Sequence, residues 1–507
     1  MGHATIIQIS VTSVSGGVES NFPTMVHPLQ PKSRPGAGAS GRQPRVFIAI
    51  AGLLGLVALL IATRRSPRDT NAVRVENQPP PSSARARPLP HASPFRIQPG
   101  SIKPTASAEE IVAGKMQQFA RSRRTLARSM AMQAGAEVPL EVEQFFDALE
   151  SGHWPDIEAR WIPLARQSGQ YEKSTNSAPL NPVWSAVLDA YGVAEQVHEW
   201  PAQKLLDYGN AILGSLRPGM VYVGGTDNGR WIPELLNETS GEEPHVIVTQ
   251  NAMADTRYLE YMNTLYGGKI AAISEDDSKQ AFASYSADAR KRFEHDQQFP
   301  EEPKQVRPNE TLKLTDGNFE VTGQGAVMAI NENLLQALMA KNPGLQFAIQ
   351  ESIPLRGTYA DAVPLGPLME LGSKDGPNSM TTERAAQAIE YWQNRTEQLL
   401  ADPEASASSY ALKSYSHDIV STGNLLAARG FPSEAERAYR LANQLWADNS
   451  ESIGALAKML TETGRQAEAR QLIETIVRQF PERRAGIEAL LGDGDQPGTS
   501  TQTVPKP

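Results

Sequence analysis

The sequence contains no cysteine. That absence excludes disulfides, thiol nucleophiles and cysteine-ligated zinc. Histidine is sparse: eight residues, scattered, with no HExxH and no HxH pair. A metal site is therefore not expected. Nucleotide fingerprints are missing too. No GxxxxGK[ST] loop is present, no GxGxxG follows a strand-like run, and no serine sits in GxSxG. No cofactor is expected. Positive charge is in short supply: the formal net charge is −9, which argues against a nucleic-acid protein. The imbalance is uneven, because Arg and Lys outnumber acids up to about residue 130.

Long apolar runs are absent except for one. The uncharged stretch VFIAIAGLLGLVALLIAT, from Val46 to Thr63, has Arg45 before it and Arg64 and Arg65 after it. At 1.5 Å per residue, about 18 residues just span a bilayer core. A transmembrane helix over 45–65 is expected, preceded by a disordered tail over 1–44. Basic residues flank both ends nearly equally, so the charge rule does not orient it. Residues 66–105 are rich in Pro, Ser and Arg and read as an extended linker. An anchor with a tether behind it is the arrangement of a single-pass envelope protein with its soluble part outside the cytoplasm, in the periplasm.

Residues 106–200 read as helical. Ile111, Met116, Phe119 and Leu126 recur at roughly helical spacing, with Arg121, Arg123, Arg124 and Arg128 on other faces. Those arginines read as a solvated face more readily than as a contact for an anionic surface. A helical hairpin broken at Gly152 and Pro155 comes next, then two more helices. Residues 201–375 change pattern. MVYVGG and HVIVTQN are short, continuous apolar runs of the kind a buried parallel strand shows, each leading into a helix. That order predicts a βαβ unit and an α/β domain with a mostly parallel sheet. TLKLTDGNFEVTG predicts a hairpin turning at Asp316-Gly317. AVMAI and FAIQES predict two more strands with a helix between them, and GPLMEL a last, edge strand.

Residues 380–492 show self-similarity. GFPSEAERAYRLANQLWADN and GRQAEARQLIETIVRQFPE align at an offset of 34 residues, the tetratricopeptide period. Gly430 matches Gly464, Ala435 matches Ala469, and Tyr439 matches Ile473. A tetratricopeptide-like repeat domain is expected, with a capping helix near Ala485, a disordered tail over 493–507, and protein binding as its role.

In an open α/β sheet, ligands bind beyond the carboxyl ends of the strands. Here those ends carry Gly224, Gly225, Thr226, Asp227, Asn228 and Arg230, then Thr249, Gln250, Asn251 and Asp255, then Glu351 and Ser352. Carboxylates, amides and one arginine suit a glycan or another polar ligand, with Arg230 pointing above the sheet. Asp227 and Glu351 form a candidate acid/base pair. The same residues also have structural readings: Asp227 as a helix cap, Asn251 as a turn former, Glu351 as a partner of Arg230. Catalytic residues are not assigned.

The segments LRPGMVYVGGTDNGRWIPELLNE, HVIVTQNAMADTRYLEYMNTLYG and FAIQESIPLRGTYADAVPLGPLMEL resemble the soluble C-terminal region of a bacterial family of multi-spanning membrane proteins. That family is uncharacterised and is itself similar to protein O-mannosyltransferases. The resemblance covers residues 184–480 and includes tetratricopeptide repeats at the end. It implies a stand-alone relative of an accessory domain, because the many membrane helices that would carry transferase chemistry have no counterpart here. Three readings are open: a membrane-anchored ligand-binding scaffold, an enzyme of glycan handling, or a chain whose motifs are structural and which only assembles other envelope proteins.

Overall fold

A computed structural model describes residues 106–168, 180–225, 228–241, 243–307, 310–315, 318–350, 357, 359–372 and 380–481. The expected span over 46–63, the linker, both tails, the turn at Asp316-Gly317 and the helix near Ala485 lie outside these residues. No helix among the described residues is long and apolar enough to cross a membrane.

Five helices come first: α1 (Ala108–Gln133), α2 (Leu140–Ser151), α3 (Trp154–Gln167), α4 (Trp184–Glu199) and α5 (Ala202–Leu213). Ser107 caps α1, and Glu110 returns the bond to the Ser107 N–H, satisfying two donors that the first turn leaves open. Residues Val112, Met116, Phe119, Arg123, Ala127 and Met130 form its buried stripe at three- and four-residue steps. Gly152 takes a left-handed φ of 73° at the end of α2, which a side chain would resist. Pro155 then sits in the first turn of α3, where its missing N–H costs nothing.

The central part alternates strand and helix: β1 (Val221–Gly224), α6 (Asn228–Glu238), β2 (Val246–Thr249), α7 (Thr256–Tyr266) and α8 (Glu275–Gln298). The hairpin β3 (Thr311–Thr315) and β4 (Asn318–Thr322) precedes α9 (Gln324–Lys341). Then come β5 (Phe347–Ile349), a 3-10 turn (Tyr359–Asp361), β6 (Val363–Leu365) and β7 (Leu368–Leu371). The main sheet has the order β2-β1-β5-β7-β6, and β3–β4 stands apart as its own pair. β1 pairs parallel with β2 and with β5, while β7 pairs antiparallel with β5 and β6. All four residues of β1 and of β2 are buried, as strands covered on both faces must be.

The molecule is mostly helical with a small mixed sheet, so the expectation of a mostly parallel sheet is corrected. Two single-strand expectations are corrected as well. AVMAI is not a strand but the first turns of α9. Ala326, Val327, Ile330, Leu334, Leu335 and Leu338 are all buried, a helical period, and no breaker separates AVMAI from the rest of that helix. The GPLMEL strand, β7, is not an edge. It is flanked on its outer side by β6, a three-residue strand too short to announce itself by alternation.

Helices close the chain: α10 (Thr382–Ala401), α11 (Pro403–Ala407), α12 (Ser409–Ala428), α13 (Pro432–Leu445), α14 (Ser450–Glu462) and α15 (Gln466–Gln479). They form two helical hairpins, α12 with α13 and α14 with α15, and α13 packs on α14. Gly430 and Gly464 end the first helix of each hairpin with φ of 82° and 80°. A Cβ on Gly423 would stand 2.6 Å from the Tyr439 ring, so that glycine lets α12 and α13 approach. Trp392 is fully buried and its Nε1 donates to Thr422 Oγ1 at 2.8 Å, tying α10 to α12. α12 in turn packs on β7 and α10 on β6, so the last helices lie against the sheet.

Candidate functional site

β1 lies between β2 and β5, and the chain leaves it first toward one side and later returns on the other. The carboxyl ends of β1 and β5 therefore flank a topological switch point, the place where open sheets form a crevice. Gly224 and Gly225 leave β1 here, and Gln350 leaves β5. Thr226, Asp227, Glu351 and Ser352 lie outside the described residues.

The described residues around this point form a buried polar centre. The Tyr222 hydroxyl donates to the Gly229 carbonyl and lies 2.9 Å from Gln350 Oε1. Gln350 Nε2 donates to the Tyr208 oxygen at 2.5 Å and to Asp418 Oδ1 at 2.6 Å. Asn228 Nδ2 donates to the same Tyr208 oxygen at 3.0 Å. A Cβ on Gly229 would fall 2.0 Å from Gln350 Oε1, so only glycine fits. Asp418, from α12, is 1% exposed, and its Oδ2 has no hydrogen-bond partner among the described residues. Burial pushes the Asp418 carboxyl up to about 7, against the opposing pull of His417, Gln350 and Tyr208. Burial likewise raises the Tyr208 and Tyr222 hydroxyls well above the usual phenol range. This centre thus holds one carboxyl group that exchanges its proton near neutral pH.

A second buried centre lies on the helical side of α6, and it takes Arg230. Contrary to expectation, Arg230 does not point above the sheet: it is 7% exposed and turned toward α4. Its Nη2 donates to Asp189 Oδ1 at 2.5 Å and its Nε to Glu234 Oε2 at 3.2 Å. Arg123, fully buried, donates from Nε to Asp189 Oδ2 at 2.5 Å and from its terminal nitrogens to both Glu238 oxygens. The Tyr261 hydroxyl donates to Asp189 Oδ2 at 2.5 Å, and the Phe119 ring lies 4.1 Å under the Arg123 guanidinium. Burial would raise Asp189, but Arg230 and Arg123 outweigh it and hold its carboxyl at about 2. Burial and the Asp189 charge push Glu234 the other way, well above the carboxylate range. Glu234 accepts from Arg230 Nε and from Arg123 Nη2 at 3.4 Å. Two guanidiniums thus meet the carboxyl groups of Asp189, Glu234 and Glu238 in one buried network.

The remaining strand-end residues have local duties. Thr249 ends β2 opposite Gly224; its N–H donates to the Tyr258 hydroxyl at 2.6 Å, and its buried Oγ1 has no partner among the described residues. The Gln250 N–H donates to the Gly224 carbonyl at 3.0 Å. Asn251 is half-buried in the next turn. Asp255 caps α7 through the Arg257 N–H at 2.9 Å and pairs with the Arg257 guanidinium. The structure brings Gly224, Gly225, Thr249, Gln250 and Asn228 together around the strand ends, and sends Arg230 to the opposite side of α6. Arg121 and Arg128 are exposed, as a solvated face requires, and with Arg124 they meet Glu143 and Glu150 of α2; Arg123 is buried instead. Among the described residues, no three His, Asp or Glu side chains are placed to hold a metal.

Sequence reasoning missed Asp418, Tyr208, Gln350, Asp189 and Arg123. Two carried a signal. Arg123 occupies a position of the apolar stripe of α1, and Asp189 is a lone acid in the apolar run WSAVLDAYGVA. A charge at a core position announces a buried partner. Comparisons with protein families, curated proteins and solved structures return no match.

Proposed function

We propose that the protein is a membrane-anchored ligand-binding scaffold: a single-pass helix over 46–63 holds it at the envelope, the strand ends take a glycan or other polar ligand, and tetratricopeptide-like repeats over 380–492 bind protein. The soluble part then lies in the periplasm. One observation carries the reading. α13 and α15 begin 34 residues apart in sequence, at Pro432 and Gln466, with Ala435 and Ala469 both buried and Gly430 and Gly464 both left-handed. That is the spacing and the small-residue placement by which stacked helical hairpins expose an extended binding face. The resemblance to the soluble region of the membrane-protein family fits the same reading.

Photo-crosslinking side chains placed at exposed positions of α13 and α15 in intact cells test it. The expected result is a discrete crosslinked protein from these helices and none from control positions on α8. Equal labelling from α8, or recovery of the protein in the soluble fraction, contradicts the reading.

The second reading, an enzyme of glycan handling, draws on Asp418. A buried acid that titrates near 7 beside the strand ends is what general acid–base chemistry needs. No turnover of any glycan substrate by the purified protein rules it out, and turnover that survives both Asp227→Asn and Asp418→Asn rejects these two residues as its acid and base.

A further inference from the structure

A solvent-open cleft of about 140 Å³ lies where α5 meets α10, α11 and α12. It is lined by charge of both signs: Lys204 and Arg395, Asp207 and Asp402, with Leu399 and the Tyr415 ring between them. The two cations differ. Lys204 is saturated: it bonds Asp402 and has Asp207 at 3.6 Å and Glu404 at 3.7 Å. Arg395 is half-buried and lies 5.7 Å over the Tyr415 ring. No ion pair joins Arg395 to a carboxylate among the described residues. A guanidinium held in a cleft over a ring, with its fork left over, is built to receive a carboxylate.

Size and charge narrow the ligand. A cavity of about 150 Å³ holds a molecule the size of benzene, so the cleft takes about six heavy atoms. The lining is formally neutral, with Lys204 and Arg395 balanced by Asp207 and Asp402. A dianion such as phosphate would meet two carboxylates with only one free cation. A small molecule carrying both signs fits better: its carboxylate on Arg395, its ammonium toward Asp207, whose side chain is 42% exposed, and a short apolar group against Leu399 and Tyr415.

We propose that this cleft is a binding site for a small zwitterion of the amino-acid class, recognised by Arg395 and Asp207. The site goes beyond the scaffold reading and stands without it. The Tyr415 ring meets Tyr208 edge-on at 5.1 Å and 89°, which places the cleft next to the buried centre at the switch point.

Calorimetry on the full-length protein tests the proposal with L-alanine, acetate, methylamine and inorganic phosphate as probes. Saturable binding of L-alanine in the millimolar range or tighter is expected, with acetate, methylamine and phosphate each at least tenfold weaker. Arg395→Gln should weaken L-alanine at least tenfold. Asp207→Asn, at the exposed mouth, should weaken L-alanine while leaving acetate unchanged, and it serves if Arg395→Gln does not fold. No saturable L-alanine binding, phosphate binding tighter than L-alanine, or L-alanine affinity indifferent to Asp207→Asn would overturn it.

Discussion

Two buried acids, Asp189 and Asp418, sit on opposite sides of α6 and behave in opposite ways. Asp189 accepts from two guanidiniums and a tyrosine hydroxyl, and its carboxyl is held at about 2. Asp418 accepts from the Gln350 amide, and burial lifts its carboxyl to about 7 against the weaker pull of His417, Gln350 and Tyr208. Both are almost wholly buried. The difference is therefore made by partners, not by depth: two guanidiniums bonded directly to Asp189 reverse the desolvation penalty, and the weaker partners of Asp418 do not. One short stretch feeds both centres. Asn228 and Gly229 bond toward Tyr208 and Tyr222, while Arg230, the next residue, crosses to Asp189.

The largest effect is expected from breaking the cationic centre. Asp189→Ala leaves two buried guanidiniums facing only Glu234 and Glu238. Removing one partner of a buried ion pair costs about 3–5 kcal/mol, and chemical denaturation should read a loss of that size at neutral pH. A loss below about 1 kcal/mol would mean that the network is wetter than the geometry requires.

The two acids give opposite pH dependence. Asp189 is lowered, so its contribution is present above the unfolded carboxylate value near ~4 and is lost as pH falls toward 2. Asp418 is raised, so its contribution is present below ~4 and is lost as pH rises through about 7. The Asp418 shift corresponds to a change on the order of 4 kcal/mol between those limits. Asp418→Asn should flatten the decline of stability between about pH 4 and 7, measured by urea midpoints, and leave the acid limb governed by Asp189 in place.

A smaller effect sharpens the comparison. Gly229→Ala puts a methyl group where Gln350 Oε1 now sits, and such overpacking typically costs about 1–3 kcal/mol. The change should disturb Tyr222, Gln350 and Asp418 but not the Arg230 pairs. Paired with Asp189→Ala in a double-mutant cycle, it should be additive within about 0.5 kcal/mol, because the two centres share no side chain. Strong coupling would show them to be one network.

The same comparison explains how much the sequence could tell. Helices with a clear apolar stripe, such as α1, and strands with continuous apolar runs, such as β1 and β2, were legible because local chemistry and burial agree there. AVMAI was not, since five apolar residues fit a buried strand or helix equally until the later turns are read with them. Sheet order depends on how distant segments pair, so β7 read as an edge. That Gly224 and Thr249 end their strands was legible, because short apolar runs mark where buried strands stop. The direction of Arg230 was not, because its partner Asp189 lies on α4, far away in sequence. Asp418 reaches Gln350 only once the last helices fold back on the sheet.

The central claim is that one loop serves two buried acids of opposite protonation. Carbon-13 NMR of aspartate carboxyl groups across pH 2–9 tests it most directly. One resonance should titrate near pH 7 and vanish in Asp418→Asn, and another should stay ionised down to about pH 2 and vanish in Asp189→Asn. If no carboxyl titrates above about pH 5, or if the high titration survives Asp418→Asn, the account is wrong.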